Sequence, residues 1–191
     1  MKIITALAGG LAGACALTLL HQAIKKADKD APHVDELGME ALSKGLETVG
    51  VEPPRGEKLY NLTLTGDIIA NTMYYSLAAI GGRSNIGGRT TFLGLLAGLG
   101  AAYLPKHMHL STIPTERTQR TQYLTIAEYT FGGLVAGVFM KVLSIGSEKK
   151  KRKMEQLKAI ERANNEIIHE AKIVEPYSGK RKQKLHGRNK R

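Results

Sequence analysis

Four apolar stretches separated by polar connections, and then a dense basic tail, restrict what this chain can fold into more than any other feature. The stretches are Ile3–Leu20, Thr65–Gly82, Thr90–Leu104 and Leu124–Ile145. About 20 mostly apolar residues carry a helix across the hydrocarbon core of a bilayer, and the first and last stretches come near that length. The pattern predicts an all-α fold, a polytopic membrane helical bundle of about four transmembrane helices. This membrane domain covers residues 1–146, and a basic cytoplasmic tail, helical or disordered, covers 147–191. The mean hydropathy of −0.19 hides the split, because it averages two unlike parts.

Charge follows the same division. Of a formal net charge of +11, the segment from Ser147 onward carries fifteen Lys and Arg against six Glu, a net of +9. Such a tail suits anionic lipid headgroups or nucleic acid. Its first cluster, Lys149, Lys150, Lys151, Arg152 and Lys153, directly follows the last apolar stretch and reads as a cytoplasmic anchor on anionic lipid. A solvated charged face that only fixes orientation is the plainer alternative. The second cluster, 179–191, is polar enough to predict disorder. It contains no aromatic residue to stack on bases, so nucleic acid is the less favoured partner.

Met1-Lys2 before an apolar run also opens a secretory signal peptide, and Ala12-Gly13-Ala14-Cys15 resembles a lipoprotein cleavage site. The run continues through Leu20, however, which favours a retained first span. Between the first two spans, Val34–Val51 places Leu37, Ala41, Leu42, Leu46 and Val49 near helical spacing, which predicts a short amphipathic helix. The second span is the most polar, with Asp67, Asn71, Thr72, Tyr74, Tyr75 and Ser76, so it should face other helices. A helix is expected to start at Ser147 and run to about Ala171.

Small residues recur four apart: Gly9 and Gly13, then Gly94, Gly98 and Ala102, then Gly133 and Gly137. Between helices in lipid no hydrophobic effect drives contact, so small residues that let backbones approach supply the packing. Asp67, Asn71 and Glu128 form the candidate intramembrane polar site, with Asp67 and Asn71 on one helical face. The competing reading makes Asp67 a helix cap and puts Glu128 at the positive end of a helix dipole. His33, Asp35, Glu36, His107 and His109 have metal-ligand chemistry, but their spacing matches no compact motif and no metal site or cofactor is expected. The sequence contains no Gly-x-Ser-x-Gly, Cys-x-x-Cys or His-Glu-x-x-His pattern, and catalytic residues remain unassigned.

Asp30-Ala31-Pro32-His33-Val34-Asp35-Glu36-Leu37-Gly38, together with Gly66-Asp67-Ile68-Ile69-Ala70-Asn71 leading into Tyr74-Tyr75-Ser76-Leu77, resembles small, uncharacterised multi-pass membrane proteins of Bacteroidetes-like bacteria. The resemblance covers roughly residues 1–146 and implies a bacterial inner membrane; it implies no activity. The residues favour a non-enzymatic scaffold or accessory subunit whose tail binds anionic lipid or a cytoplasmic protein partner, with a homo-oligomer as a further expectation. The alternative is a small transporter or channel component using Asp67, Asn71 and Glu128; an enzyme acting on lipid headgroups comes third.

With both termini cytoplasmic, the inner side holds Lys2, Arg83, Arg89 and the fifteen cations of the tail, against nine cations in the two outer connections. The cluster abutting the last span sets this orientation. Reporter fusions after Gly146 and after Lys190 are expected to read cytoplasm, and one at Glu57 the outside. A cytoplasmic signal at Glu57 would reverse the arrangement.

Overall fold

The computed structural model describes residues 2–82 and 84–187, with side-chain surroundings as far as Glu170. Arg83, and the side chains of the second basic cluster, lie outside the described residues. The chain is 85 % helix and has no strand among the described residues, so the all-α expectation holds. Six α-helices follow in order: α1 (Ile3–Ala27), α2 (Val34–Thr48), α3 (Glu57–Ser76), α4 (Ile86–Tyr103), α5 (Ile113–Glu116) and α6 (Gln119–Gly187). Short 3-10 segments follow α3 (Leu77–Gly81) and α4 (Pro105–Met108). The chain divides into two compact units, Met1–Ile145 and Gly146–Arg191.

Local chemistry sets the boundaries. In the first turn of α2, Asp35 and Glu36 complement the positive end of the helix dipole. At its other end Gly50 adopts φ +78°. There Gly50 N–H donates to Glu47 O (3.0 Å) and Val51 N–H to Leu46 O (2.9 Å), the two bonds of a Schellman cap. Pro53 and Pro54 then keep the helix from resuming. The expected amphipathic helix of this connection is therefore present. The second apolar stretch, expected to begin at Thr65, starts at Glu57, because residues 57–64 are polar yet compatible with a helix.

Two features of α6 depart from the sequence reading. The helix runs through Gly146 and Ser147 without a break, so no new helix starts at Ser147. A single glycine costs only about 1 kcal/mol in a helix and does not force an end. Regular structure also continues past Pro176 to Gly187, where the composition predicted disorder. Lys, Arg and Gln favour helix, and polarity alone does not end one.

Within the first unit, small residues are inside and large apolar ones outside. On α4, Thr90, Gly94, Gly98 and Ala102 are buried, whereas Phe92, Leu95, Leu96 and Leu99 are exposed. On α6, Thr125, Ala136 and Met140 are buried while Phe131, Leu134, Val138, Phe139 and Val142 face outward. Two helical segments, Ile3–Ala27 and Gln119–Glu170, are long and apolar enough to cross a membrane.

Glycines bring the helices together. A Cβ added at Gly13 would lie 2.5 Å from Gly132 O and 2.6 Å from Ala136 Cβ, which packs α1 directly on α6. One at Gly98 would lie 2.7 Å from Ile126 Cα, and one at Gly137 2.8 Å from Gly87 Cα, which packs α4 on the other side of α6. The polar residues of α3 bond to its neighbours as expected. Tyr75 Oη–H donates to Tyr129 O (2.8 Å), Tyr74 Oη–H to Leu93 O (3.1 Å), and Ser76 Oγ–H to Ala6 O (3.1 Å). Tyr75, Ile86, Ala136 and Met140 form the core.

Overpacking of a close-packed contact costs about 1–3 kcal/mol, so Gly98→Ile and Gly137→Ile are each expected to lower stability in detergent by about that much. Gly100, where an added Cβ meets nothing within 4 Å, is the control. Equal thermal midpoints for Gly98→Ile, Gly137→Ile and Gly100→Leu would show that the backbone contacts carry no stability.

Candidate functional site

His21 lies near the end of α1, four residues before Lys25, so both side chains leave the helix on one face. Asp35, in the first turn of α2, meets them. Lys25 Nζ donates to Asp35 Oδ2 at 2.6 Å, and His21 Nε2 lies 3.5 Å from Asp35 Oδ1, an ion-pair separation without a formed hydrogen bond. On the other side of the ring, His21 Nδ1 lies 3.1 Å from Glu128 Oε2 of α6. With the proton on Nδ1, the ring donates to that carboxylate. One imidazole thus bridges a carboxylate of the covering helix α2 and a carboxylate of the bundle. Side-chain exposure falls inward along this line, from 14 % at Asp35 to 9 % at His21 and 1 % at Glu128.

The bridge borders a cavity of about 60 Å³ lined also by Thr18, Tyr60, Thr63 and Asp67. Among the described residues, Glu128 Oε1, Asp35 Oδ1, Thr18 Oγ1 and Thr63 Oγ1 are buried without a hydrogen-bond partner. A broader, more open depression of about 290 Å³ lies between α2, α3 and the end of α4. Val34, Gly38, Asp67 and Tyr129 line both, so the two spaces adjoin. At Gly38 an added Cβ would lie 2.8 Å from Thr63 Cγ2, which shows how closely α2 sits on α3.

Polar contacts hold α2 and the loop before it in place as a roof. His33 N–H donates to Pro114 O (2.8 Å), Ser111 N–H to Glu40 Oε2 (3.0 Å), and Thr121 Oγ1–H to Asp30 O (3.0 Å). Arg117 pairs with Asp30 (3.5 Å), and Arg120 pairs with Asp28.

Asp67 and Glu128, singled out in the sequence, both line the cavity. Asn71 is buried beside them but supports Asp67, donating from Nδ2 to Asp67 Oδ1 (2.9 Å) and Asp67 O (3.0 Å). The capping reading of Asp67 is corrected, since Asp67 lies well inside α3 rather than at its start. Glu128, fully buried, likewise lies beyond the first turn of α6, where the dipole effect has faded. The metal-ligand residues are dispersed: His33 pairs with Glu36 (2.8 Å), Asp35 with Lys25, and His107 and His109 are exposed. Lys149, Lys150, Lys151, Arg152 and Lys153 are all exposed in the second unit. Sequence reasoning missed His21 and Lys25 as site residues; the signal that could have found them is a histidine four residues before a lysine at the end of an apolar helix.

Burial opposes ionisation of Asp35, but the adjacent His21 and Lys25 outweigh it and hold the carboxyl well below the usual carboxylate range. The native state therefore binds this proton less readily than the unfolded chain, where an aspartate titrates near ~3.9. The resulting stabilisation is complete above that pH and is lost as pH falls toward the depressed native value. Asp35→Asn is expected to lower the melting midpoint in detergent at neutral pH, and the gap from the parent should narrow as the solution is acidified below about pH 4. A gap independent of pH would assign the effect to packing.

Comparison with protein-family models, with curated proteins and with solved structures finds no match for the chain.

Proposed function

We propose that this chain is a multi-pass protein of a bacterial inner membrane that binds a small solute in a polar centre within its bundle, as a component of a transporter or channel. On this reading α1, α3, α4 and the first part of α6 are the four spans and both termini are cytoplasmic. The tail then holds anionic lipid through Lys149–Lys153. What supports four spans rather than two is the placement of side chains in the first unit, with large apolar residues outward on α4 as well as on α6. A bundle in lipid has this distribution because the surrounding chains are as apolar as leucine.

The observation that carries the solute reading is the convergence of His21, Asp35, Asp67 and Glu128 on one cavity, with Glu128 Oε1 buried and without a partner among the described residues. Ionisable groups inside a membrane domain are costly unless paired or functional. A scaffold has no use for an unpaired buried carboxylate oxygen, which weighs against the scaffold reading. An enzyme needs a nucleophile or activated water held against a base. The hydroxyls near His21 make no hydrogen bond to it, so the lipid-headgroup enzyme ranks lower as well.

The test is flux in vesicles reconstituted with the full chain, followed with a trapped pH-sensitive dye and with labelled methylammonium. The parent protein is expected to speed entry of protons or methylammonium over protein-free vesicles, and Glu128→Gln to remove most of that gain. Parent vesicles that match empty ones in both assays would return the protein to the scaffold class.

A further inference from the structure

Resting on the solute-binding reading, the geometry points to a more specific ligand: a single-chain amphiphile with a primary ammonium head. We infer that the head sits in the cavity against Asp67 and Glu128 and that the apolar chain lies in the adjoining depression beneath α2.

Three observations carry this. The first is charge. Three carboxyl groups, Asp35, Asp67 and Glu128, gather with His21 and Lys25, one more acidic side chain than basic. A buried charge without a counter-charge is strongly unfavourable, and a cationic group supplies one. The second is hydrogen bonding. Glu128 Oε1 is a buried acceptor without a partner among the described residues, whereas Asp35 Oδ1 already faces His21 Nε2 at 3.5 Å, and an ionised carboxylate can be satisfied only by a donor. An ammonium brings three N–H donors. The space of about 60 Å³ holds an ammonium and its first methylenes, since a single water needs about 10–15 Å³ on the same measure.

The third is the neighbouring depression. Leu37, Ala41, Leu104, Pro105, Met108 and Leu110 give it an apolar lining. Leu104 and Met108, on its rim, are exposed. Asp67 lines both spaces, so a carboxyl stands at their junction. A small hydrophilic cation has no use for the apolar seat, and a fatty acid would set a carboxylate against carboxylates. An alkylammonium fits both ends. Rings of carboxylates select cations by the same electrostatic logic.

The test uses the full chain in phosphatidylcholine nanodiscs and dodecylamine carrying a photoreactive diazirine near its chain end, with labelled residues read by mass spectrometry. Saturable labelling within 37–41 or 104–110, displaced by unlabelled dodecylammonium, is expected. Glu128→Gln and Asp67→Asn should each weaken the half-saturating concentration about tenfold, the scale of one lost charge contact. Gly100→Phe should abolish the labelling, because Gly100 lines the depression and a Cβ added there meets nothing within 4 Å, so the helix accepts the substitution. It should leave methylammonium flux unchanged, since that solute does not need the chain seat.

Labelling that never saturates, or that spreads over the outward residues Phe92 and Leu95, would overturn the proposal in favour of simple bilayer partition. Equal labelling by the diazirine analogue of dodecanoic acid would overturn the ammonium head. In the parent protein, absence of specific labelling alongside intact methylammonium flux would sink the amphiphile alone. Loss of both would remove the solute-binding reading with it.

Discussion

Everything in the first unit depends on how closely α6 is approached by its neighbours. Gly13 lets α1 touch the backbone at Gly132, while Gly98 of α4 meets Ile126 of α6 and Gly137 of α6 meets Gly87 of α4. Contact at that range lets many backbone atoms sit within dispersion distance of one another, each pair contributing little and the sum much. The interior holds threonines, alanines and tyrosines, with a few large apolar residues such as Leu17, Ile86 and Met140, and the hydroxyls of Tyr74 and Tyr75 find carbonyls on adjacent helices.

That close bundle creates the electrostatic problem that the ion-pair bridge answers. Drawing α1 onto α6 buries His21 beside Glu128. The pair satisfies one ring nitrogen and one carboxylate oxygen, and α2 brings Asp35 to face the other nitrogen. Lys25 then balances Asp35 at the rim. Among the described residues, His21 Nε2, Asp35 Oδ1 and Glu128 Oε1 are the atoms of this network left without a hydrogen bond, the first two facing each other at 3.5 Å.

The parts legible in the sequence were those governed by short-range periodicity. The four-apart glycines, the Asp67–Asn71 pair and the polar face of α3 all follow from 3.6 residues per turn, and the structure uses each of them. The helix α2 was legible from its apolar spacing, and its end from Gly50 and the prolines. What was not legible depends on chain folding between helices. Asp35 reaches His21 only because the loop at 28–33 is held by Arg117, Arg120 and Pro114, residues more than eighty positions away. No local pattern encodes that meeting. Asp67 and Glu128 looked like helix-end residues because apolar runs understate how far a helix extends; α3 begins eight residues before its apolar stretch.

Gly38 has a consequence beyond its own contact. It sits on the face of α2 that looks down on Thr63, and it borders both the cavity and the depression. The distance from roof to floor is therefore fixed by a missing methyl group. A lineage of this protein could enlarge or shrink its interior through that one position, without touching any charged residue, because a bulkier residue would lift the helix like a shim. The volume of the chamber and its chemistry are, in this fold, inherited separately.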